Sequence, residues 1–469
     1  MKADVSPSHL TEAAVEVRKR RAPSPPISRE EVKPHTDEAL ALAFAERHAG
    51  HLRYVAVWNR WLIYDAVVWR HDDTLQVFTL ARELCRDDSA AAPARDKARI
   101  LSAKTFAAVV STARSDLAIA ATVAQWDADP VVLNCDGEAV MLLDDTRRPS
   151  IPGDYFIKST AVAPEGDCPL WMDFLKTVTA GDAALIAYLQ RVAGYCLTGL
   201  TIEHVLFFLH GGGANGKSVF ISTISGIMGN YARTAPIETF TASNTDRHPT
   251  DLAGLVGARL VTATETQEGR RWDETRIKTL TGGDEISARF MRQDFFDFTP
   301  QFKLLISGNH KPSLRSVDEA IRRRFHLVPF NVTIPPEERD PELADKLRAE
   351  WPGILRWMLD GCRNWRAIGL RPPPVVVDAT AAYLDAEDAQ AAWADECLEF
   401  VSEGFESRNA LYGSWKAWCE RAGEIPGTRK QLIQILDSRQ SVRAHKRDGI
   451  RGYLGVRITW QLSLPGEQP

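Results

Sequence analysis

The middle of the chain alternates short apolar runs with segments of helical periodicity. Between residues 206 and 335, the runs LFFLH, ARLVTATE and KLLIS have the length of buried strands, and SVFISTISGIM has the spacing of a helix. Alternating strands and helices are typical of an α/β domain. This part of the chain therefore predicts one.

The preceding region, about residues 38–165, predicts a compact α+β domain. RYVAVWNRWLIYDAVVWRHDD breaks into short apolar runs separated by turn residues, which predicts a small β-meander. KTFAAVVSTARSDLAIAATVAQWDAD has helical periodicity, and PVVLNCDGEAVMLL predicts a hairpin that turns at Asp136-Gly137. Three tryptophans in the meander favour packing within the sheet over stacking on bases: Trp58, Trp61 and Trp69.

Helical segments flank the α/β domain on both sides. Residues 168–205 predict two amphipathic helices that are broken near Gly181, and a further helical stretch precedes residue 371. The sequence RPPPVVVD, 371–378, predicts a linker. Residues 379–469 then predict three helical segments and a hairpin, SVRAHKRDGIRGYLGVRITW.

The first 37 residues are rich in proline, serine and charge, which predicts a disordered tail. Within it, VRKRR could contact nucleic acid, but we interpret it as solvated. No apolar run has the roughly 18 residues that a membrane span needs, and the N-terminus shows no signal-peptide pattern. The sequence therefore predicts a cytoplasmic protein without a membrane partner.

Charge and cysteine content limit the possible functions. The net charge of −5 means that the whole protein is not a basic nucleic-acid-binding protein, so any basic surface must be local. The seven cysteines contain no CxxC pair, which argues against a zinc site, and their scattered placement suits a reducing compartment.

The segment GGGANGKS, which follows the apolar run LFFLH, fits the pattern G-x-x-x-x-G-K-[ST] of a phosphate-binding loop. Glycines allow backbone N–H groups to approach phosphate oxygens, and the N-terminus of the helix that follows favours anions. Lys217 can bridge the β- and γ-phosphates of ATP, and the Ser218 hydroxyl can ligate Mg²⁺. The predicted nucleotide-binding residues are Gly211, Gly212, Gly213, Ala214, Asn215, Gly216, Lys217, Ser218 and Val219. The alternative is a chance match in a glycine-rich turn.

Two strand ends downstream carry polar residues. Glu265 ends the run ARLVTATE, where a carboxylate can hold Mg²⁺ or polarise the attacking water. Asn309 follows KLLIS and could bond the γ-phosphate or that water. Each has a plain alternative, since Glu is common at exposed strand ends and Gly-Asn is common in turns.

Cationic residues mark two further places. EISARFMRQDFFDF predicts a hairpin with Arg289, Phe290 and Arg292 near its tip, a mixture that suits single-stranded nucleic acid, although a solvated hairpin has the same pattern. Arg322, Arg323 and Arg324 end a predicted helix, where arginine can stabilise a transferring phosphoryl group in a neighbouring subunit. The alternative is the ordinary enrichment of cations at helix C-termini.

The order of these motifs within residues 211–324 resembles the superfamily 3 helicases, a branch of the AAA+ ATPases. More narrowly, ETQEGRRWDETRIKTLTGGDEISARFMRQDFFDFTP, LLISGNHKP and DEAIRRRFHLVPF resemble the C-terminal helicase part of phage and plasmid DNA primases, which are related to poxvirus helicase-primases. The resemblance extends over about residues 40–465. It implies an AAA+ P-loop core at 166–370, flanked by the N-terminal α+β region and a C-terminal winged-helix-like domain at 379–469.

The resemblance also implies roles for single residues. Lys217 and Ser218 become the Walker A lysine and magnesium ligand, Glu265 the Walker B acid, and Asn309 the sensor. Lys278 and the hairpin match the motif that contacts DNA. The arginine finger falls in the arginine triple, with Arg324 favoured and Arg323 in reserve.

The chain departs from the family pattern in two respects. Many members carry two adjacent acids at Walker B, whereas Glu265 is followed by Thr266, Gln267 and only then Glu268, so the group that activates water is open. The primer-synthesising domain of full-length primases is also not expected here, because the chain offers no room for it.

The C-terminal hairpin can be interpreted without the resemblance. Residues 421–460 contain nine Lys or Arg against three Asp or Glu, a local charge of +6 in a chain of −5. A helix followed by a basic hairpin is how a winged helix meets DNA, with Arg443, Lys446 and Arg447 as contacts. A solvated hairpin is the alternative.

These features predict an ATP-dependent DNA helicase of a phage, prophage or plasmid replication system. It would form a ring, expected to be a hexamer, on single-stranded and replication-fork DNA, and would work with a separate primase or origin-binding protein. One alternative is an ATP-switched origin-binding initiator without processive unwinding. Another is a P-loop phosphotransferase that acts on a small molecule, against which the hairpin and the arginines argue.

Overall fold

The structure is a computed structural model that describes residues 32–242, 250–264, 270–292, 294–314, 317–387 and 389–424, and parts of the chain from 426 to 459. Most of the predicted N-terminal tail and Glu265 lie outside the described residues. So does most of TRKQLIQILDSR, residues 428–439, which the sequence predicts as the helix before the C-terminal hairpin. The chain divides into two compact units. The first contains the described residues up to Ala128 together with Ser150–Ile157, and the second contains Asp129–Pro149 and the described residues from Lys158 onward.

The first unit packs helices on a small sheet. Its elements are α1 Asp37–His48, β1 Leu52–Val55, β2 Arg60–Tyr64, β3 Trp69–His71, α2 Gln76–Ala91, α3 Ala94–Ile100, α4 Ala103–Ala113 and β4 Ala120–Ala121. The sheet order is β3-β2-β1-β4. The first three strands are antiparallel neighbours, which confirms the predicted meander. Trp61 and Trp69 are buried and Trp58 packs against Trp126, as expected for packing within the sheet.

The helix predicted across residues 104–129 is wrong in its second half. Helix α4 ends at Ala113. The Asp116 carboxylate then accepts from the backbone N–H of Ala118, a local turn that competes with helix continuation. The chain next enters β4, which pairs in parallel with β1. The apolar spacing after Ala113 therefore belongs to a turn and a strand.

The second unit is built on a parallel sheet with helices on both faces. Its elements before the nucleotide site are β5 Val132–Cys135, β6 Glu138–Met141, β7 Arg147–Pro149, α5 Pro169–Val178 and α6 Ala183–Cys196. The site and its surroundings add β8 Leu206–His210, α7 Lys217–Met228, β9 Ala232–Thr234, α8 Thr250–Ala253, β10 Leu260–Thr264, α9 Glu274–Gly282, β11 Ile286–Ala288, β12 Phe296–Phe298, β13 Lys303–Gly308, α10 Glu319–Arg322 and β14 Phe325–Pro329. The predicted hairpin that turns at Asp136-Gly137 is confirmed as β5–β6, and the predicted helix pair as α5 and α6.

The five-stranded sheet has the order β14-β8-β13-β10-β9, and every neighbouring pair is parallel. Strand β8 shows why its sequence is continuously apolar. Phe207 and Leu209 belong to one buried cluster, whereas Leu206 and Phe208 belong to a second cluster on the other face. A strand that is covered on both faces needs apolar residues at every position. The predicted α/β class is confirmed.

The segment RPPPVVVD, predicted as a linker, is helical in its second half. The remaining elements are α11 Leu343–Ala349, α12 Trp351–Ile368, α13 Pro374–Ala386, α14 Ala389–Cys397, β15 Leu398–Glu399, β16 Phe405–Ser407, α15 Arg408–Ala422, β17 Arg443–Arg447, β18 Ile450–Leu454 and β19 Arg457–Ile458. Proline is favourable in the first turn of a helix, which is where Pro374 stands. Helix α13 lies along the edge strand β14, and the Leu327 N–H donates to the Thr380 hydroxyl over 2.9 Å. Residues 374–378 therefore belong to a helix that covers the sheet edge.

The C-terminal part of the second unit has a core of its own, formed around Trp393, Leu411, Trp415 and Tyr453. Its three-stranded sheet has the order β16-β18-β17, and the predicted terminal hairpin is confirmed as β17–β18. Within the described part of the chain, no helix combines the length and the hydropathy that crossing a bilayer requires.

Candidate nucleotide-binding site

The phosphate loop, residues 211–216, joins the end of β8 to the start of helix α7. Strand β8 lies between β14 and β13, so the loop emerges in the interior of the sheet's carboxyl edge. Helix α7 begins at Lys217, and the N–H groups of its first turn have no carbonyl of the same helix to bond. This strand–loop–helix context is the one that the sequence motif requires.

Two glycines of the loop cannot be replaced without rearrangement. A Cβ at Gly211 would lie 2.1 Å from Asn215 Nδ2 and 2.2 Å from the Phe330 carbonyl oxygen. Gly216 has φ +84°, and its Cβ would lie 2.4 Å from Val178 Cγ1. Gly211 therefore permits a close approach of the phosphate loop to the chain at Phe330, and Gly216 permits the turn into α7.

Lys217 is buried and its ammonium group is fully engaged. Nζ donates to the Gly211 carbonyl at 2.7 Å, to Asn215 Oδ1 at 2.9 Å and to Asn309 Oδ1 at 3.1 Å. Burial lowers the pKa of Lys217. The three acceptors are neutral oxygens, so the cation has no carboxylate partner among them. Such a site favours an anionic oxygen that would complete the charge pairing.

Asn309 reaches Lys217 because of sheet topology. It follows β13, which pairs in parallel with β8 so that Gly308 stands opposite His210. The carboxyl ends of parallel neighbours meet at one edge, which is where ligands bind in such sheets. The Asn309 amide therefore lies beside the phosphate loop although 92 residues separate it from Lys217.

An open cleft of about 830 Å³ covers this edge. Its lining includes Gly213–Val219, Thr264, Ser307 and Asn309, and the Ser218 side chain is exposed to it. Sequence reasoning missed Thr264 and Ser307; their position at the ends of apolar strands was the available signal. Strand β10 ends at Thr264, which pairs with Ser307 of β13, and Glu265 itself lies outside the described residues.

The residues present fit a magnesium nucleotide. The cleft offers a helix N-terminus and a buried cation, which would suit phosphate oxygens, and an exposed hydroxyl, which would suit Mg²⁺. Ser218 is the described side chain that we expect to hold Mg²⁺. Lys217, Asn215 and Asn309 line the same cleft, and we expect them to contact phosphate oxygens.

The arginine turn, Arg322–Arg324, lies at the opposite edge of the sheet. Strand β14 follows it and runs parallel to β8, with Phe325 opposite Leu206 and Pro329 opposite His210. Five residues of strand correspond to about 16 Å. The turn therefore stands one strand length from the phosphate loop of its own chain.

The three arginines have different surroundings. Arg322 Nη1 lies 3.0 Å from Asp385 Oδ1, and Arg323 is exposed. Arg324, favoured from sequence as the finger, is buried: its Nε donates to Thr281 Oγ1 at 3.2 Å and its Nη1 to the Ala320 carbonyl at 2.9 Å. Burial, followed by the neighbouring Arg323, lowers the pKa of Arg324. Exposure thus favours Arg323 over Arg324 for a contact outside the chain.

The hairpin predicted from EISARFMRQDFFDF is present as β11–β12, which are antiparallel, and its contact with DNA stays a prediction. At its tip, Phe290, Met291 and Phe295 expose 41%, 67% and 57% of their surface. The Arg289 guanidinium lies 4.6 Å from the centre of the Phe295 ring, and Phe290 stacks on Phe296. Arg292 is also exposed. The tip therefore offers aromatic faces and cations together, as single-stranded nucleic acid requires.

Lys278 is not part of that tip. It lies on helix α9, and its Nζ is 2.6 Å from Asp318 Oδ2, at the start of α10. In the C-terminal hairpin, by contrast, every residue of β17 is exposed, including Arg443, Lys446 and Arg447. Lys446 stands opposite Arg451 of β18, so the cations gather on one hairpin.

Comparison with known families places two regions of the chain. A model described as "D5 N terminal like" matches residues 41–180, and a model described as "Family of unknown function (DUF5906)" matches residues 209–324. The second match extends from the strand before the phosphate loop to the arginine turn.

Two viral relatives match parts of the chain. "Putative helicase L207/L206" of Acanthamoeba polyphaga mimivirus is 27% identical over an alignment of 230 residues, and the match covers 45% of this chain and 24% of the relative. "Putative helicase 022R" of Frog virus 3 (isolate Goorha) is 25% identical over an alignment of 299 residues, and the match covers 58% of this chain and 30% of the relative. The chain thus spans less than a third of these relatives' length.

A solved structure shares the fold. The apo C-terminal region of NrS-1 covers 91% of this chain and 100% of its own, with a TM-score of 0.50 and 10% identity. At that identity the likeness concerns the fold alone. The family-model matches and the viral relatives support a primase–helicase family for this chain, and the NrS-1 structure adds a shared fold.

Proposed function

We propose that the protein is an ATP-dependent DNA helicase that works as a ring, a hexamer, in the replication of a phage, prophage or plasmid. ATP is the substrate, bound in the cleft around the phosphate loop. Mg²⁺, held by Ser218 and Glu265, would neutralise charge on the phosphate oxygens. Lys217 contacts the β- and γ-phosphates, and Asn309 orients the γ-phosphate or the attacking water.

The observation that carries this proposal is the placement of the arginine turn. It lies at the amino edge of the sheet, whereas the phosphate loop lies at the carboxyl edge. An arginine that stabilises the transferring phosphoryl group must therefore come from a neighbouring copy of the chain. A head-to-tail contact of this kind is heterologous and closes into a ring when its rotation permits.

The second support is the hairpin tip. Phe290, Phe295 and Arg292 are exposed there, which suits single-stranded DNA in a central channel. The fully exposed basic strand β17 supports a second DNA contact in a winged-helix-like C-terminal domain. The N-terminal α+β region, by this proposal, belongs to the primase type of the family, and the core to the AAA+ ATPases.

A test of the function measures hydrolysis and unwinding together. We expect steady-state ATP hydrolysis to rise when single-stranded DNA is added, and a forked duplex to be unwound only in the presence of ATP. A non-hydrolysable ATP analogue serves as the control for unwinding. Hydrolysis that is indifferent to DNA would overturn the helicase proposal.

The exposed basic strand β17 also favours one alternative, a replication initiator that binds duplex DNA and uses ATP only to assemble. The same experiment separates the two. An initiator would show ATP-dependent binding to duplex DNA without displacement of the annealed strand.

The Phe290→Ala substitution is expected to weaken binding of single-stranded DNA. Loss of one base–aromatic stack costs about 1–3 kcal/mol, so we expect a rise in Kd of at least about fivefold. Fluorescence anisotropy of a labelled oligonucleotide measures this change. Phe290→Trp, which keeps an aromatic face, is the matched control and should bind about as tightly as the original chain. Equal affinities for the Ala and Trp variants would remove Phe290 from the DNA contact.

A further inference from the structure

Helix α9, Glu274–Gly282, connects to the β11–β12 hairpin and contacts the arginine turn. The proposed function assigns DNA binding to the hairpin and phosphoryl transfer in a neighbouring subunit to the turn. The C-terminal end of α9 is three residues from the first strand of the hairpin, with Gly283 at φ +80° ending the helix. Its side faces helix α10 and the arginine turn. A displacement of the arginine turn that carries α9 with it would therefore also displace the base of the hairpin.

Two polar contacts hold α9 to α10 and the arginine turn. Lys278 Nζ lies 2.6 Å from Asp318 Oδ2, and the other oxygen of Asp318 accepts from the Ile321 N–H at 2.8 Å and caps α10. One turn further along α9, Thr281 Oγ1 accepts from Arg324 Nε at 3.2 Å. Residues three positions apart lie on one helix face, so both contacts come from the same side of α9.

The second contact is buried and shared with the strand of the phosphate loop. The Thr281 carbonyl lies 2.9 Å from His204 Nδ1, and the Leu206 N–H donates to the Arg324 carbonyl at 2.7 Å. Leu206 is the first residue of β8. Arg324 is thus fixed at both its backbone and its side chain, whereas the adjacent Arg323 is exposed.

We propose that Lys278 and Thr281 are positioning residues that clamp helix α9 to the arginine turn, so that the turn and the DNA hairpin move as one body. Arg323 senses the nucleotide of the neighbouring subunit, and Arg324 passes its displacement to α9. This inference rests on the proposed helicase function. It also gives Lys278 a partner inside the protein in place of the DNA contact expected from sequence.

The first test compares Thr281→Val with Thr281→Ser in the full chain. Valine has the shape of threonine but neither accepts nor donates a hydrogen bond, whereas serine keeps the hydroxyl. We expect the valine variant to hydrolyse ATP at the original basal rate. Its stimulation factor with single-stranded DNA should be at least about fivefold smaller, within the usual range of coupling between sites. The serine variant should keep the stimulation.

Coupling between two sites is reciprocal for binding. The original chain should therefore bind a labelled oligonucleotide with different affinity in a non-hydrolysable ATP analogue and in ADP. Thr281→Val should shrink that difference, and Thr281→Ser should preserve it. A purely structural role would lower the melting temperature without changing the ratio of the two affinities.

Asp318→Asn provides a second variant that is not expected to unfold the protein. Asparagine caps a helix as well as aspartate does, so α10 keeps its cap while Lys278 loses its ion pair. If the clamp operates, single-stranded DNA should stimulate ATP hydrolysis less in this variant than in the original chain. If Lys278 instead contacts DNA, its release should raise the affinity for single-stranded DNA and keep the stimulation.

The outcomes separate this inference from the function on which it rests. If the original chain shows no DNA stimulation, the helicase proposal fails and the clamp fails with it. If the original chain is stimulated and both Thr281→Val and Asp318→Asn are stimulated equally, the clamp alone is overturned. Should Thr281→Val prove unstable on heating, the sign of the Asp318→Asn effect decides.

Discussion

Replacing Lys217 by alanine is expected to lower the rate of ATP hydrolysis at least about 10²-fold, which is the usual cost of removing one preorganised donor from a site of developing charge. The Lys217 ammonium already points at three oxygens around the phosphate loop, Gly211 O, Asn215 Oδ1 and Asn309 Oδ1. Because these acceptors are neutral, a nucleotide phosphate can take their place without separating an ion pair. A steady-state phosphate-release assay with saturating single-stranded DNA measures the loss.

The control for this substitution is Lys346→Ala. Lys346 is solvent-exposed in the described structure and pairs with Asp340 on the surface, well away in sequence from the cleft lining. We expect its replacement to leave the hydrolysis rate unchanged. A Lys217→Ala variant that keeps more than about a tenth of the original rate would contradict the assignment of the cleft as the hydrolytic site, since even one lost donor should cost more.

The placement of the phosphate loop and of Asn309 in one cleft follows from local sequence pattern and from one rule of topology. Phosphate loops are recognisable because glycines, lysine and serine have fixed spacing, and the structure shows why Gly211 and Gly216 cannot vary. Asn309 was predictable because the carboxyl ends of parallel strands share an edge. Its 3.1 Å contact with Lys217 places it beside the phosphate loop, and its role toward the γ-phosphate or the attacking water stays a prediction.

The side-chain contacts that could not be predicted from sequence join residues that are distant along the chain. Lys278 meets Asp318 across 40 residues, and Arg324 meets Thr281 across 43. Sequence shows that these cations exist but not which of them is already paired. Likewise, the prolines of RPPPVVVD predict a linker when the segment is considered alone. Its second half is helical because helix α13 packs on the edge strand β14, a contact that the local sequence does not reveal.

Replacing Arg323 by alanine is expected to lower DNA-stimulated hydrolysis by about 10³- to 10⁵-fold, the range in which an arginine supplied to a phosphoryl-transfer site contributes. The exposure of Arg323 and its place one strand length from its own phosphate loop support a role in a neighbouring subunit. Arg322→Ala is the matched control, because Arg322 pairs with Asp385 at the surface of the same turn and should matter little to the rate.

Mixing variant subunits tests whether the site is shared between copies. A Lys217→Ala subunit keeps its arginine turn, and an Arg323→Ala subunit keeps its phosphate loop, so each can complete the other. In a random equal mixture, about a quarter of head-to-tail interfaces combine an intact loop with an intact arginine. We therefore expect roughly a quarter of the original hydrolysis rate to return, although each variant alone is inactive. If mixing restores nothing, the site is not shared; if only Arg324→Ala subunits complement Lys217→Ala, the buried arginine must leave Thr281 to reach its neighbour.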